Sequence, residues 1–315
     1  MIAKPMHLQV FLQSQEQLIS PPLRSKVISN GRSWAVVVQG PITELNQIER
    51  IEFFAKILSR IRVPLIVSSY ETDLTQSLKE SEKRNLHFVT SEHHEIENNF
   101  QGQILTTYRG ICQAQILNVS HVLKVRSDQF VDLEITIPLI SSLLDLFPRT
   151  SGNTDRLVFA SMNSWFCRPL GLSDMFVAGD CSSMAKYWEW SEETRNLTGN
   201  RIPFLHTGNS VWLSNRSLFC ETFLFSKYLT KEGFSFSDNA ISDYSRALRN
   251  YAIVVDSNMI SQSWDKRDAT VVGNVTSKFA SGLPSYRSKE ISFVDWYKIS
   301  QLDYEMDLEG LNLEL

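Results

Sequence analysis

The chain has 315 residues, with 31 Lys and Arg against 35 Asp and Glu, and a formal charge of −4 at pH 7. That balance excludes a general basic surface for nucleic acid, and a composition of 43% hydrophobic and 11% aromatic residues excludes wholesale disorder. The length allows one large domain or two moderate ones around a substantial core.

The first clear element is SWAVVVQ, an apolar run that predicts a buried strand over Trp34–Gln39, ended by a tight turn at Gly40-Pro41. Thr43 is placed to cap a helix in which Leu45, Ile48, Ile51, Ala55 and Leu58 recur at helical spacing. RVPLIVSSY predicts a second strand, Thr72–Ser81 a polar helical segment, and LHFVT a short third strand. A longer helix is expected from Asn98 to Asn118, with Ile104, Tyr108, Ile111 and Ile116 or Leu117 turned inward, leading to a strand over His121–Arg126. Strands alternating with helices, roughly every 25 to 30 residues, are the mark of right-handed βαβ crossovers and a mostly parallel sheet.

The second half is less regular. TIPLISSLLDLF reads as an amphipathic helix, RLVFAS as a strand, LSDMFVAGD as a strand with polar ends, and CSSMAKYWEW as a helix rich in aromatics. The loop NLTGNRIPFLHTGNS precedes a helical pattern from Ser214 to Tyr228. SDNAISDYSRALRN is another helix, with Ser237 as its cap, and YAIVVDS is a late strand. KEISFVDWYKIS forms a short amphipathic helix before the acidic tail LDYEMDLEGLNLEL. The halves are expected to meet softly near Leu133–Pro138, within one continuous body.

Cys112, Cys167, Cys181 and Cys220 are scattered without CxxC or zinc spacing, so buried reduced thiols are expected. The first residues, MIAKPMHLQVFLQSQ, are too interrupted by Gln for a signal peptide, and no run of about 18 apolar residues exists to span a membrane. The expectation is a cytoplasmic protein without a transmembrane segment.

In a parallel sheet, ligands bind outside the carboxyl ends of the strands. Gln39, Gly40 and Pro41 lie at one such end, Ser68 to Tyr70 at another, and Arg126, Ser127 and Asp128 at a third. Asp128, with Asp132 four residues on, can hold a hard divalent cation against phosphate, or can simply open a turn. Arg126 beside it can pair with a phosphate or orient the carboxylate. Gln103, Thr107, Arg109 and Gly110 lie on the helix before that strand, and Arg109 is the best of them for a phosphate. Asp174 in LGLSDMF is the candidate general base of the second half, with Asp243 and Asp238 in SDNAISDY competing and a turn or cap as the plainer role. His93 and His94 adjoin in a loop where their side chains diverge, while His206 is either a late ligand or a hydrogen-bonded core residue. Trp165, Trp188, Trp190 and Trp212 offer faces for sugar rings or for core packing.

Four segments in order, WAVVVQGPI, NNFQGQILTTYRGICQA, HVLKVRSDQF and LGLSDMFVAGDCSSMAKYW, resemble the bacterial WavE lipopolysaccharide-synthesis family over Trp34 to Trp188. The resemblance implies an α/β, GT-A-like fold: a Rossmann-type, mostly parallel sheet flanked by helices, with a less regular acceptor-side half. Together with the pattern along the chain, the expected division is an N-terminal extension over 1–30, a nucleotide-sugar-binding half over 31–135, an acceptor-binding half over 136–290, and a C-terminal helix and acidic tail over 291–315. The implied activity is transfer of a sugar from a nucleotide-sugar donor to a lipopolysaccharide, capsule or other surface glycan or glycolipid, with contact to a membrane-bound acceptor only peripheral. Gln39, Gly40 and Pro41 would then face the nucleobase. Asp128 would stand at the last carboxylate of a D-x-D motif and hold Mn²⁺ or Mg²⁺. The first Asp of that motif is replaced here by Arg126, which can itself neutralise a diphosphate. The family's Arg near position 102 is absent, since Gly102 stands there.

A non-catalytic glycan-binding protein is the alternative from a different class. A sugar-phosphate nucleotidyltransferase is the other, although it needs a loop rich in Gly and Arg after the first strand, and QGPITELN has one Gly and no Arg.

Overall fold

The computed structural model describes residues 31–70, 85–92, 99–150, 154–166, 169–195, 220–237, 239–265 and 290–302. Its frame is a seven-stranded sheet. In chain order the elements are β1 (Trp34–Gln39), α1 (Leu45–Arg60), β2 (Leu65–Tyr70), β3 (Leu86–Ser91), α2 (Asn99–Ile116), β4 (His121–Arg126), β5 (Gln129–Phe130) and α3 (Leu133–Leu146). Then come β6 (Leu157–Ala160), β7 (Val177–Asp180), α4 (Cys181–Tyr187), α5 (Glu192–Arg195), α6 (Cys220–Lys231), α7 (Ala240–Tyr251), β8 (Ala252–Val255), β9 (Ser263–Trp264) and α8 (Phe293–Gln301).

The large sheet runs β3-β2-β1-β4-β7-β6-β8, and β5 pairs with β9 in a separate two-stranded ladder. β3, β2, β1 and β4 are mutually parallel, β7 is antiparallel to both β4 and β6, and β6 is parallel to β8. This is the expected mostly parallel α/β sheet. Because β7 joins β4 to β6, strands from both halves of the sequence share it. β1 and β2 are buried along their whole length, which is why they read as unbroken apolar runs.

α2 packs across β1, β2, β3 and β4. A Cβ on Gly110 would meet Val37 Cγ1 at 2.5 Å, so glycine lets the helix lie this close to the strands. α1 packs on β2 and α3, and α8 on α7 and β8, where Trp296 Nε1 donates to the Ala252 carbonyl at 2.8 Å.

Several local expectations are corrected. The α1 helix is capped by Glu44 rather than Thr43, because Gln47 reaches back to the Glu44 N–H and completes a capping box. Asn239 rather than Ser237 caps α7, through bonds from the Ile241 and Ser242 N–H groups. Of the two alternatives at the end of α2, Leu117 takes the inward position as allowed for, and Ile116 is exposed. The strand in LSDMFVAGD begins only at Val177, because the Ser173 N–H bonds the Ser164 hydroxyl instead of a neighbouring strand. The helix expected from Ser214 is described from Cys220 onward. The segment Thr72–Ser81, together with His93, His94, Cys167, His206, Trp212 and Asp238, lies outside the described residues. Cys112, Cys181 and Cys220 are free thiols and half-buried rather than fully buried.

Candidate active site at the strand ends

The carboxyl ends of β1 and β4 lie side by side, with Gln39 opposite Arg126 in register. Beyond them the chain segments are bound together: the Ser127 N–H donates to the Gln39 carbonyl at 2.8 Å, and the Ser127 hydroxyl to the Pro41 carbonyl at 2.8 Å. Gly40 has φ +125°, and a Cβ there would stand 2.9 Å from Ser127 Oγ, so both its backbone and its surroundings call for glycine. Arg50 from α1 donates to the Ser127 carbonyl at 2.5 Å and to Asp265 Oδ1 at 2.7 Å. The Q-G-P and R-S-D segments are therefore one structure.

Asp128 is buried at this junction. Arg126 grips it with two parallel bonds, Nε to Oδ1 at 2.9 Å and Nη2 to Oδ2 at 3.0 Å, and Trp264 Nε1 donates to Oδ2 at 3.0 Å. The Asp265 N–H also bonds the Asp128 carbonyl at 3.1 Å. Burial works against the charge of Arg126, yet its hydrogen bonds to Asp128 hold its pKa above the usual value. Asp132, in contrast, is spent on the fold: its Oδ1 caps α3 by accepting from the Glu134 and Ile135 N–H groups.

Residues two apart on a strand share a face, so Lys124 and Arg126 point the same way from β4. Lys124 is fully buried, and its ammonium donates to the Asp174 carbonyl at 2.6 Å and lies 4.7 Å from the centroid of the Trp188 ring. Gln103 from α2 donates to Asp174 Oδ2 at 2.9 Å. Asp174 is thus held from two elements in a buried turn ahead of β7. It caps no helix. Its carboxylate also faces Cys220, whose thiol pKa is pushed up by burial and then by Asp174.

The structure brings Gln39, Gly40, Pro41, Arg126 and Asp128 together, and it joins Gln103 to Asp174. Gln103, Thr106 and Thr107 are buried polar residues on α2, with both threonine hydroxyls bonded back to helix carbonyls. Arg109 lies elsewhere, donating to the Thr90 carbonyl at 3.4 Å beside β3. Asp243 is fully buried and accepts from the Ser237 N–H, the Ser237 hydroxyl and Arg246, and these bonds are local to the start of α7. Trp165 and Trp188 are core residues, and Trp190 packs partly buried against the core. Sequence reasoning passed over Arg50, Lys124, Trp264 and Asp265. The lysine alone left a signal, as a charge inside the apolar run HVLKVR.

No group of three or more metal-ligating side chains occurs among the described residues. Asp128 and Asp265 are the carboxylates at the junction. The pKa of Asp265 is raised by burial, which the Arg50 charge opposes and the Asp128 charge reinforces. Their hard oxygens are of the kind a divalent cation takes, but each carboxylate is already paired with a guanidinium, Asp128 with Arg126 and Asp265 with Arg50, so a cation would have to compete with both. Among the described residues no helix is long and apolar enough to cross a membrane.

No protein-family model matches the chain, and no curated protein matches it. Among solved structures, a mycobacterial protein is similar at 16% identity and a TM-score of 0.35, with the match covering 52% of this chain and 59% of that one. Glucosyl-3-phosphoglycerate synthase from Mycobacterium tuberculosis, in complex with Mn²⁺, uridine diphosphate and phosphoglyceric acid, is similar at 14% identity and a TM-score of 0.42, over 82% of this chain and 80% of that one. A glycosyltransferase involved in glycosylation of the major capsid of PBCV-1 is similar at 12% identity and a TM-score of 0.35, over 71% and 83%. These scores mark distant likeness only.

Proposed function

We propose that the chain is a glycosyltransferase of GT-A-like fold that moves a sugar from a nucleotide-sugar donor to a glycan acceptor. The observation that carries the reading is the junction of β1 and β4, where Gln39-Gly40-Pro41 and Arg126-Ser127-Asp128 are tied together at the parallel strand ends and Asp174 is held on the face that Lys124 and Arg126 share. Parallel sheets take their ligands at such ends. The resemblance of these segments to the WavE family supports a lipopolysaccharide, capsule or related acceptor, and the halves 31–135 and 136–290 as donor and acceptor sides.

In this reading an acceptor hydroxyl attacks the anomeric carbon as the bond to the diphosphate breaks. Asp174 takes the hydroxyl proton, the role of a base in an inverting displacement. Arg126 is the side chain that neutralises the departing diphosphate, turning from Asp128 to phosphate oxygens. A divalent cation, when bound, would be held by Asp128 with Asp265 and would supply further positive charge to the same leaving group. Asp243 is not assigned a part, since Ser237 and Arg246 occupy its carboxylate.

The test is a thermal-shift panel of nucleotide-sugars with and without Mn²⁺, followed by release of nucleoside diphosphate in the presence of glycan acceptors. Stabilisation by one nucleotide class and acceptor-dependent release are expected. A nucleotide-bound crystal structure with the ligand at the opposite edge of the sheet overturns the proposal.

A further inference from the structure

The central strand of a seven-stranded sheet is an expensive place for an ammonium group. Lys124 is fully buried there, and among the described residues its hydrogen bond goes to a main-chain carbonyl, that of Asp174, rather than to a carboxylate. Burying a charge in this way costs free energy that an apolar residue of similar size avoids. A group that breaks the rule for its own strand calls for a task at the site it touches.

That task is legible in its contacts. The Asp174 turn precedes β7 and lies outside any strand or helix, so its position depends on side chains from elsewhere. Lys124 fixes its carbonyl, Gln103 fixes its carboxylate, and Trp188 closes the far side of the lysine with its ring. The charged or titratable groups acting on the ammonium are Asp174 from the turn, Arg126 and Asp128 from the end of β4, and Cys220 from α6.

We infer that Lys124 is a positioning residue, which by its buried positive charge holds the Asp174 turn against β4 and α2 in the orientation that the transfer reaction uses. The inference rests on the reading of Asp174 as the base. Burial lowers the Lys124 pKa to about 7, an effect that Asp174 opposes and Arg126 reinforces.

Lys124→Met keeps the length of the side chain and removes the charge. The measurements are hydrogen–deuterium exchange over residues 172–177, stability against pH, and kcat and KM for donor. Faster exchange over 172–177 is expected, with kcat reduced roughly tenfold to a hundredfold and the donor KM unchanged. The native lysine releases its proton near pH 7, whereas the unfolded one holds it to about 10.5. Between these values the unfolded state binds more protons, so wild-type stability gains with pH through this group, and the variant should lack that gain. A merely structural lysine would change the stability of the variant, in either direction, and leave exchange over 172–177 and kcat in the folded protein as they were. That outcome overturns the inference.

If the variant does not fold, Lys124→Gln, which keeps a hydrogen-bond donor without the charge, is measured in the same way, and exchange over 172–177 and kcat equal to wild type overturn the inference instead. If the wild type transfers no sugar from any donor, the glycosyltransferase reading fails, while exchange over 172–177 still decides whether Lys124 holds Asp174.

Discussion

Asp128→Asn removes a charge and turns one acceptor atom into a donor. In the wild type, Oδ1 accepts from Arg126 Nε, while Oδ2 accepts from both Arg126 Nη2 and Trp264 Nε1. An amide has only one acceptor oxygen. With its NH₂ at the first position it opposes Arg126 Nε, and at the second it opposes two donors, so neither orientation satisfies the site. A lost charge-assisted bond is worth about 1.5–3 kcal/mol and a bared buried donor about 1–3. The Arg126 side chain is 25% exposed and can turn partly to water, which reduces the penalty. A net loss of about 2–4 kcal/mol follows. Urea unfolding measures it, and a cycle with Arg126→Met isolates the pair: once the cation is gone, at least ~1 kcal/mol of the Asp128→Asn loss should disappear. Sugar transfer by the folded single variant should fall to background, because the carboxylate that orients Arg126 is gone. Unfolding within ~0.5 kcal/mol of wild type, together with wild-type turnover, would refute both the energetic argument and the role given to Asp128.

Asp174→Asn should lower turnover by about 10²- to 10⁴-fold while leaving donor affinity close to wild type, measured by steady-state kinetics and nucleotide titration. Gly40→Ala forces a Cβ toward Ser127 Oγ in a backbone conformation that favours glycine, so a loss of about 1–3 kcal/mol in unfolding free energy is expected, with weakened nucleotide binding. Far from the site, the His121 hydrogen bond to Asp155 at 2.8 Å, aided by the charge of Arg32, holds the Asp155 pKa below the usual carboxylate value against burial. A carboxyl with its pKa depressed in the folded state adds stability above the unfolded pKa and loses it as pH falls through the folded one. Asp155→Asn should therefore be destabilised at pH 7 and should flatten the acid limb of a stability–pH curve.

Parallel strands buried on both faces are continuous apolar runs, and this made β1, β2 and β4 legible in the sequence. The same reasoning placed Gln39, Arg126 and Asp128 at one end of the sheet, because crossover topology fixes which ends align. What escaped was contact between residues far apart. Trp264 lies 136 positions from the carboxylate it bonds, and Asp265 lies 215 from Arg50, so no local pattern signals either. The insertion of β7 antiparallel between β4 and β6 left no trace in periodicity for the same reason. Asp132 shows the opposite failure: a local cap, an Asp just before a helix, stood close enough to Asp128 to look like its partner. Asp174 led Asp243 as the candidate base by sequence, and their partners separate them further, since one bonds side chains of two distant elements and the other its own helix start.

Both aspartates of the proposed reaction are tied to a cation on β4, Asp128 through its carboxylate and Asp174 through its main-chain carbonyl. Arg126 grips Asp128 and Lys124 holds Asp174, and these cations are two residues apart on one face of the strand. Two residues of parallel strand span about 6.6 Å, so β4 acts as a ruler between the place where a diphosphate would be neutralised and the place where an acceptor proton would be taken. A sugar carried on a diphosphate must present its anomeric carbon between those points. The rigidity of the central strand would then set the reacting geometry, since main-chain pairing to β1 spans both residues and pairing to β7 also holds Lys124.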